Sequence, residues 1–347
     1  PPPEYQEHLP PHNYILSDQV LSLEISRRFC TTEIRAGRLP LWCPNYFLGA
    51  PVTKWPKYSP YNALYYVLPK PVTLAWIHLL KSLVGGIGAY LFFRRVLQVG
   101  FWAGALSAWC FPITGFLVLW QGFTMSQTIS WFPWLLLAVD RSVGRPGGWG
   151  PMGLIAATAL TLLSGQFDVA ALALLAAGLF GLWTLAEQLA RNRQFAQVSK
   201  AILALGAAWL LGIALAAPYL MPAIEYAGTG YRLESRIGGA EERPPMGIMA
   251  LPLTIMPDMY GRSQRNQAVI MHQNRLESAA TTYTGLFATL FLAILAWTRR
   301  RHVSRNLMWA ILILISLSWT LNVPGLVWLL RREGLNLLSY NRFTFVA

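Results

Sequence analysis

Charged residues are scarce in this chain: Asp, Glu, Lys and Arg supply 12% of its 347 residues, whereas hydrophobic residues supply 54%. An average soluble domain has about 25% charged residues, and its core could not bury this much apolar surface. The sequence also contains no phosphate-binding loop ending in Lys-Ser or Lys-Thr, and no GxSxG, HExxH or CxxC motif. Soluble ATPases, zinc proteases and redox enzymes therefore lose their main support.

Cysteine is scarce as well, and Cys30, Cys43 and Cys110 have no metal-ligand spacing. Cys30 and Cys43 share one loop, where they could form a disulfide in an oxidising compartment or remain two free thiols.

The first residues have no basic start and no apolar stretch, so no signal peptide is visible. Because an outer loop needs an upstream helix to anchor it, we expect a longer polypeptide with spans before Pro1 and after Ala347.

The apolar residues come in long blocks, several of them near the roughly 20 residues that cross about 30 Å of hydrocarbon as a helix. Lipid offers no partners to exposed backbone groups, so the blocks predict membrane-spanning helices. The predicted spans are 72–93, 101–120, 128–139, 151–165, 168–189, 201–218, 284–298 and 306–320. The block at 128–139 is short, which indicates a tilted, broken or re-entrant helix. Pro218 and Pro222 predict kinks or helix ends.

These blocks predict an all-α fold, a polytopic transmembrane helix bundle with two extracytoplasmic loop elaborations. Residues 1–71 form the first loop, and its stretch 17–36 predicts an amphipathic helix on the membrane surface, because Leu21, Ile25 and Phe29 are four apart. The other segments are a bundle of about six spans at 72–218, the second loop at 219–283, and further spans with the start of another helix at 284–347.

The net charge of +13 is explained by the loops beside the spans and predicts no nucleic-acid partner. Short loops on one side hold eleven basic residues: Arg94, Arg95, Arg141, Arg145, Arg191, Arg193, Lys200, Arg299, Arg300, Arg301 and Arg305. The short opposite loops, 121–127 and 164–168, hold none. Basic residues concentrate in short cytoplasmic loops, so this asymmetry predicts that the eleven lie in the cytoplasm.

Polar residues collect on the opposite side of the predicted bundle, at helix ends and in loops. They are Asp18, Gln121, Gln127, Gln166, Asp168, Glu225, Arg232, Arg236, Asp258 and Arg262. Polar groups that converge over one face of a membrane bundle indicate a site for a lipid-linked or extracytoplasmic substrate.

An ordered series of short motifs resembles that of YfhO-like bacterial membrane proteins. The motifs are SDQ (17–19), AGRLPLWCPNYFLGAP (36–51), SPYNALYYVLP (59–69), SGQFD (164–168), APYLMPAIEYAGTGYRLESR (217–236), MPDMYG (256–261), YTG (283–285) and SYNRF (339–343). The resemblance implies a GT-C-like glycosyltransferase of the bacterial inner membrane whose active face is extracytoplasmic. It implies transfer of a sugar from a polyprenyl-phosphate carrier to an acceptor hydroxyl. Where that family has Gly-His, this chain has Gln166, which does not titrate.

The resemblance places the catalytic carboxylate at Asp18, which would take the proton of the acceptor hydroxyl. Asp18 is equally suited to cap the helix that starts beside it. Gln19 is predicted to contact the substrate.

Lys81 lies ten residues after Pro71, which at about 1.5 Å per residue places it near the membrane midplane, one turn after His78. Lys81 could bind the lipid phosphate, or it could pair with a carboxylate or lie in a span that starts deeper.

The other predicted substrate contacts are Gln121, Gln166, Asp168, Arg232 and Arg236. The two arginines could grip phosphate, or they could pair with Glu234, Glu241 or Glu242 in a solvated loop. Asp168 and Asp258 could bind a divalent cation, the one cofactor that the sequence leaves open, although Asp at such positions often caps a helix or turn.

Two further functions compete with glycosyl transfer. A non-catalytic scaffold subunit of a larger membrane complex would explain why the family histidine is absent. A lipid or sugar transporter would use His78 and Lys81 at mid-depth, although the sequence shows no inverted repeat. The predicted partners are membrane lipid, the polyprenyl-phosphate sugar and other proteins of a membrane complex.

Overall fold

The computed structural model of the protein describes residues 23–44, 49–52, 57–192, 195–229, 245–257, 259–260, 280–298, 303–336 and 338–347. About 75% of the described residues are helical and almost none lie in strands, which confirms the predicted helical class. Within the described ranges, four stretches are long and apolar enough to cross a membrane: Pro71–Arg95, Phe101–Leu119, Phe167–Arg191 and Phe195–Gly228. The chain thus has the main feature of a polytopic membrane protein.

Within the described ranges, the first half contains eight helices and a hairpin of two short strands, each two residues long. The helices are α1 Glu24–Arg35, α2 Pro60–Val67, α3 Pro71–Arg95, α4 Phe101–Cys110, α5 Gly115–Leu119, α6 Thr124–Ile129, α7 Phe132–Gly144 and α8 Trp149–Leu163. Strand β1, Trp42–Cys43, pairs antiparallel with β2, Ala50–Pro51. A 3-10 turn, Phe111–Ile113, separates α4 from α5.

The second half continues the bundle. Its α-helices are α9 Phe167–Asn192, α10 Phe195–Gly228, α11 Leu251–Ile255, α12 Ala293–Ala296, α13 Val303–Ser318 and α14 Leu326–Leu330. A 3-10 turn, Ile248–Ala250, precedes α11, a π-helical turn, Ala288–Leu292, precedes α12, and a 3-10 segment, Tyr340–Val346, packs on α13.

Helix α7 lies at the centre of the bundle and packs on α3, α8, α9 and α10. Its side chains Leu135 and Val139 are fully buried. At 13 residues it extends for only about 20 Å, too short to cross the hydrocarbon alone. Helix α6 precedes it, with an interruption at Ser130 and Trp131. The short block of the sequence is therefore a broken helix whose apolar side chains face protein.

Helix α10 differs from its prediction because it continues through Pro218 and Pro222 to Gly228. A proline removes one hydrogen bond from the helix, but neighbouring helices can compensate for this loss. Its 34 residues extend for about 51 Å, more than the hydrocarbon requires. The second loop therefore starts with an extension of a membrane helix.

Close packing of α10 against α8 leads to a stability prediction. A Cβ atom on Gly212 would lie 2.6 Å from Thr158 Cβ and 2.9 Å from Ile155 O, whereas a Cβ on Gly206 would meet nothing within 4 Å. We expect Gly212→Ala to lower the melting temperature in detergent, because overpacking costs about 1–3 kcal/mol. Gly206→Ala is the matched control in the same helix. Because alanine has a higher helix propensity than glycine, this variant should be as stable as the parent or more stable. Equal melting temperatures for the two variants would contradict the tight crossing.

The bundle has two chemically different ends. At the first, which we call the basic end, Arg305 donates a hydrogen bond to Val96 O, and Ser304 Oγ donates to the Glu187 carboxylate. At the second, which we call the motif end, the Tyr219 ring contacts the rings of Tyr58 and Phe167 at 5.6 Å and 5.2 Å. Arg305 and Ser304 thus lie at the opposite end of the bundle from Tyr58, Phe167 and Tyr219.

The first loop packs on the motif end through α1, which contacts α2. Residues 17–22 of the predicted surface helix lie outside the described residues, and α1 matches the remainder. Ile25, in the predicted apolar stripe, is exposed, while Arg27 and Cys30 are buried. Helix α1 thus turns Arg27, Cys30 and Thr31 to the protein, while Ile25 of the predicted stripe points away from it.

Cys30 and Cys43 are free thiols that share a buried cluster with Val52. Burial raises the pKa of the Cys30 thiol to about 12. Lys57 is also buried, which lowers its pKa, and its ammonium donates to Pro40 O at 2.9 Å and Val52 O at 3.2 Å. These contacts fold the loop around β1 and β2.

Candidate functional site

Lys81 lies on the buried face of α3. The buried residues Thr73, Ile77, Lys81 and Gly85 recur every four positions, so they share the side of the helix that faces the bundle. Only 3% of Lys81 is exposed. Its ammonium donates to Gln121 O at 2.5 Å and to Ser126 Oγ at 2.8 Å. The helix periodicity therefore carries a cation into the interior of the protein.

The partners of Lys81 are neutral. Within the described part of the chain, the ion pairs are Glu24 with Arg27 and Arg28, Glu33 with Arg38, and Glu187 with Arg191. A buried charge is costly unless it is paired, and two neutral acceptors offset only part of that cost. The carboxylate partner that the sequence suggested for Lys81 is absent among these residues.

Two more basic side chains approach Lys81. His78 lies one turn before Lys81 on α3, and Arg27 of α1 reaches the same region. Arg27 pairs with Glu24 and stacks on the Tyr65 ring at 5.3 Å, and Tyr65 packs with Ile77 of α3. His78 Nδ1 is buried and has no hydrogen-bond partner among the described residues. Arg27 is thus paired with a carboxylate, whereas the partners of Lys81 in the described part of the chain are neutral.

Gln121 closes the site from the bundle side. Its Nε2 donates to His78 O and to Ser82 Oγ, both at 3.4 Å, while its backbone carbonyl oxygen accepts from Lys81. A narrow cleft with room for about one water molecule lies beside these groups. Its lining is Lys81, Ser82, Gly85, Pro112, Leu117, Gln121 and Ser126. Pockets for small molecules typically measure about 300–1,000 Å³, so this cleft is far too small to enclose a whole ligand.

Gln166 and Asp168 form a separate network. Thr124 Oγ1 donates to Gln166 Oε1 at 2.8 Å, and Gln166 Nε2 donates to Asp168 Oδ1 at 2.7 Å. The same Asp168 oxygen accepts from Val169 N at 2.9 Å, in the first turn of α9. A carboxylate there is favourable because it interacts with the positive end of the helix dipole. Asp168 therefore stabilises the start of α9.

Helix α6 connects the two networks. Ser126 contacts Lys81, Thr124 contacts Gln166, and Gln127 Oε1 accepts from Ser59 Oγ at 3.0 Å. The structure thus brings Lys81 to Gln121, and Gln166 to Asp168, on opposite sides of one short helix. Asp18, Gln19, Arg232, Arg236 and Asp258 lie outside the described residues. Among described residues, no group of three or more His, Cys, Asp or Glu side chains could hold a metal ion.

Three residues of this region were missed in the sequence. Arg27 was missed because the prediction for its helix relied on the apolar stripe. The polar face of the same helix, which carries Arg27, was not considered. Thr124 and Ser126 belong to the polar run TMSQTIS, which interrupts an apolar block. Such a run inside a span is a signal for buried hydrogen bonds.

Comparisons with protein-family models, with curated proteins and with solved structures found no match. The function must therefore be argued from the residues of the chain and from the geometry above. The feature that most needs a chemical explanation is the buried cation Lys81 beside Arg27 and His78.

Proposed function

We propose that the chain is a GT-C-type membrane glycosyltransferase, related to YfhO-like proteins, that moves a sugar from a polyprenyl-phosphate carrier to an acceptor hydroxyl. The observation that carries this proposal is Lys81, a buried cation with neutral partners in the described part of the chain. A phosphate group beside Lys81 would supply the missing negative charge.

The cleft limits how such a substrate could lie. It has room for about one water molecule, so it could admit a single phosphate oxygen but not a sugar. We therefore place the phosphate beside Lys81 and the sugar outside the cleft, toward the motif end. The polyprenyl chain would follow the lipid-facing surface of α3, where Trp76, Leu79 and Leu83 are exposed.

The reaction would proceed at the anomeric carbon of the sugar. The acceptor oxygen forms a bond to this carbon while the bond from the carbon to the phosphate oxygen breaks. Asp18 takes the hydroxyl proton, and the bonding electrons leave with the phosphate. Lys81 stabilises the negative charge that develops on the leaving phosphate, and this kind of electrostatic stabilisation is usually a large part of catalysis.

A transfer assay tests the proposal. The chain, reconstituted in lipid nanodiscs, is incubated with radiolabelled polyprenyl-phosphate sugars and with extracts of envelope glycans as acceptors. The proposal expects label in the glycan fraction and release of polyprenyl phosphate in equal amount. Binding of polyprenyl phosphate without transfer would contradict the enzymatic function while supporting the phosphate site.

A non-catalytic scaffold is the second candidate, and one observation favours it. Gln166 and Asp168 bond to each other and to Thr124 and Val169 instead of pointing a free polar group at the cleft. A scaffold would show neither transfer nor binding of polyprenyl phosphate, and it would copurify with a membrane partner in equal amount.

We also propose that the basic end is cytoplasmic and that the protein lies in the bacterial inner membrane. Gly147 at the basic end and Gly228 at the end of α10 form a matched pair, because a Cβ on either would meet nothing within 4 Å. With the three natural cysteines changed to alanine, an impermeant thiol reagent should label Gly228→Cys in intact spheroplasts. It should label Gly147→Cys only after lysis. Labelling of Gly147→Cys alone before lysis would invert the topology.

A further inference from the structure

The segment 245–257 is an apolar island in the second loop. Its 13 residues, PMGIMALPLTIMP, contain no charged side chain, although charged residues precede it at Glu241, Glu242 and Arg243 and follow it at Asp258. An uncharged stretch of 10–14 residues is too short to cross a membrane, and it is typical of a buried core helix or of an interfacial or re-entrant segment. The exposure of its side chains distinguishes between these.

One face of this segment is held by the protein. Gly247 N donates to Thr320 O at 3.0 Å, just beyond the end of α13. Ala250 and Leu253 are fully buried and pack with Met246, Tyr260 and Leu321. The segment is therefore fixed to the end of a bundle helix by its backbone and by apolar contacts.

The other face is apolar and uncovered. Ile248 is 71% exposed, Met249 50% and Met256 55%. A helical segment that is apolar on every side is normally buried in protein or in lipid. Since protein covers only the Ala250 and Leu253 side, these residues lack an apolar environment within the described structure.

Helix α14 adds a second apolar surface at the same end of α13. Trp319, just after α13, packs with Val327 and Leu330 of α14, while Trp328 on the same helix is 59% exposed. The Arg332 guanidinium lies 3.7 Å from the centre of the Trp328 ring. Tryptophan with a nearby arginine is typical of the membrane interface, where the ring lies among headgroups and the charge reaches water.

Helix α13, at whose end both surfaces lie, has an exposed apolar stripe of its own. Leu307, Ile311 and Leu314 recur every three or four residues along that helix and are all exposed. We propose that Ile248, Met249, Leu251, Met256, Trp328 and Leu329 form an interfacial anchor that inserts into the headgroup and upper acyl region of the bilayer. This inference does not depend on sugar transfer.

Spin-label accessibility in liposomes of phosphatidylethanolamine and phosphatidylglycerol tests the anchor. Nitroxides at Met249→Cys and Met256→Cys, in a chain with Cys30, Cys43 and Cys110 changed to alanine, should collide often with oxygen and rarely with a water-soluble nickel chelate. Leu210→Cys on α10, where Leu210 is exposed, is the lipid control, and Gly147→Cys is the aqueous control. The oxygen-to-nickel ratio at both test positions should be several-fold above that of Gly147→Cys.

Two outcomes would overturn the anchor. Nickel accessibility equal to that at Gly147→Cys would place the segment in water, and low accessibility to both reagents would show that a protein surface covers it. The unmodified chain provides an independent measurement if the alanine background does not fold. Phospholipids with a diazirine in the upper acyl chain should crosslink to the peptide containing residues 246–257, and failure to do so in folded protein would also reject the proposal.

Discussion

Replacing Lys81 with methionine should lower sugar transfer by about 100- to 1,000-fold, the loss typical when one group that stabilises developing negative charge is removed. Methionine is about as long as lysine and fills similar space, so the packing of α3 on α6 should be largely kept. The carbonyl of Gln121 and the hydroxyl of Ser126 would lose a donor, which costs about 1–3 kcal/mol if no water replaces it. The measurement is transfer per folded molecule, with kcat and KM determined separately.

A conservative variant separates chemistry from structure at this position. Lys81→Arg keeps a positive charge but not its geometry, so it should recover part of the transfer and part of the binding of polyprenyl phosphate. Lys70→Met is the control, because Lys70 is exposed just before α3 begins. If Lys81 acts only as a structural link to Gln121, both Lys81 variants should lower the melting temperature. Transfer per folded molecule would then stay within a few-fold of the parent.

The buried position of Lys81 could be predicted from sequence, whereas its partners could not. The distance from Pro71 along the helix gives the depth of Lys81 in the membrane. The spacing of Thr73, Ile77 and Gly85 gives the face of the helix on which Lys81 lies. The acceptors come from Gln121 O and Ser126 Oγ, which lie beside Lys81 because the chain is interrupted between α5 and α6. A backbone carbonyl leaves no mark in the residue types, so its role appears only once the break is known.

The predicted helix bounds were accurate where a single physical effect determined them. In α3 and α9 a long apolar run sets the length, and the predicted and observed bounds agree within a few residues. Pro218 suggested an end to α10, but burial of Tyr219 and Ala223 against the protein holds the helix together beyond it. The tertiary contacts that outweigh a local proline signal are not visible in the local sequence.

The apolar island at 245–257 was missed for a different reason. The second loop as a whole is rich in Arg, Glu, Pro and Met, and its average polarity concealed a short uncharged stretch. Burial of Ala250 and Leu253 beside exposure of Met249 and Met256 became visible only when the segment was placed against the end of α13. A count of charged residues in a short sequence window along the loop would have found this uncharged stretch.

Replacing Asp18 with asparagine should abolish most of the transfer while leaving folding nearly unchanged. Asparagine caps a helix about as well as aspartate, so the start of the first-loop helix would be preserved. It cannot accept the acceptor proton at neutral pH, and general-base catalysis typically contributes about 100- to 10,000-fold in rate. The measurement pairs single-turnover transfer with the melting temperature of the same sample in detergent.

Alanine at the same position separates the base from the cap. Asp18→Ala removes both functions, so it should show the same loss of transfer together with a decrease in stability of about 1 kcal/mol if Asp18 is a cap. Transfer by Asp18→Asn within a few-fold of the parent would rule out the base, whatever the alanine variant does. A parent chain that binds polyprenyl phosphate without transfer, combined with a lower melting temperature for Asp18→Ala alone, would leave Asp18 with a capping role in a non-catalytic protein. In that case Lys81 would bind the lipid phosphate without a reaction, and its variants would change binding alone.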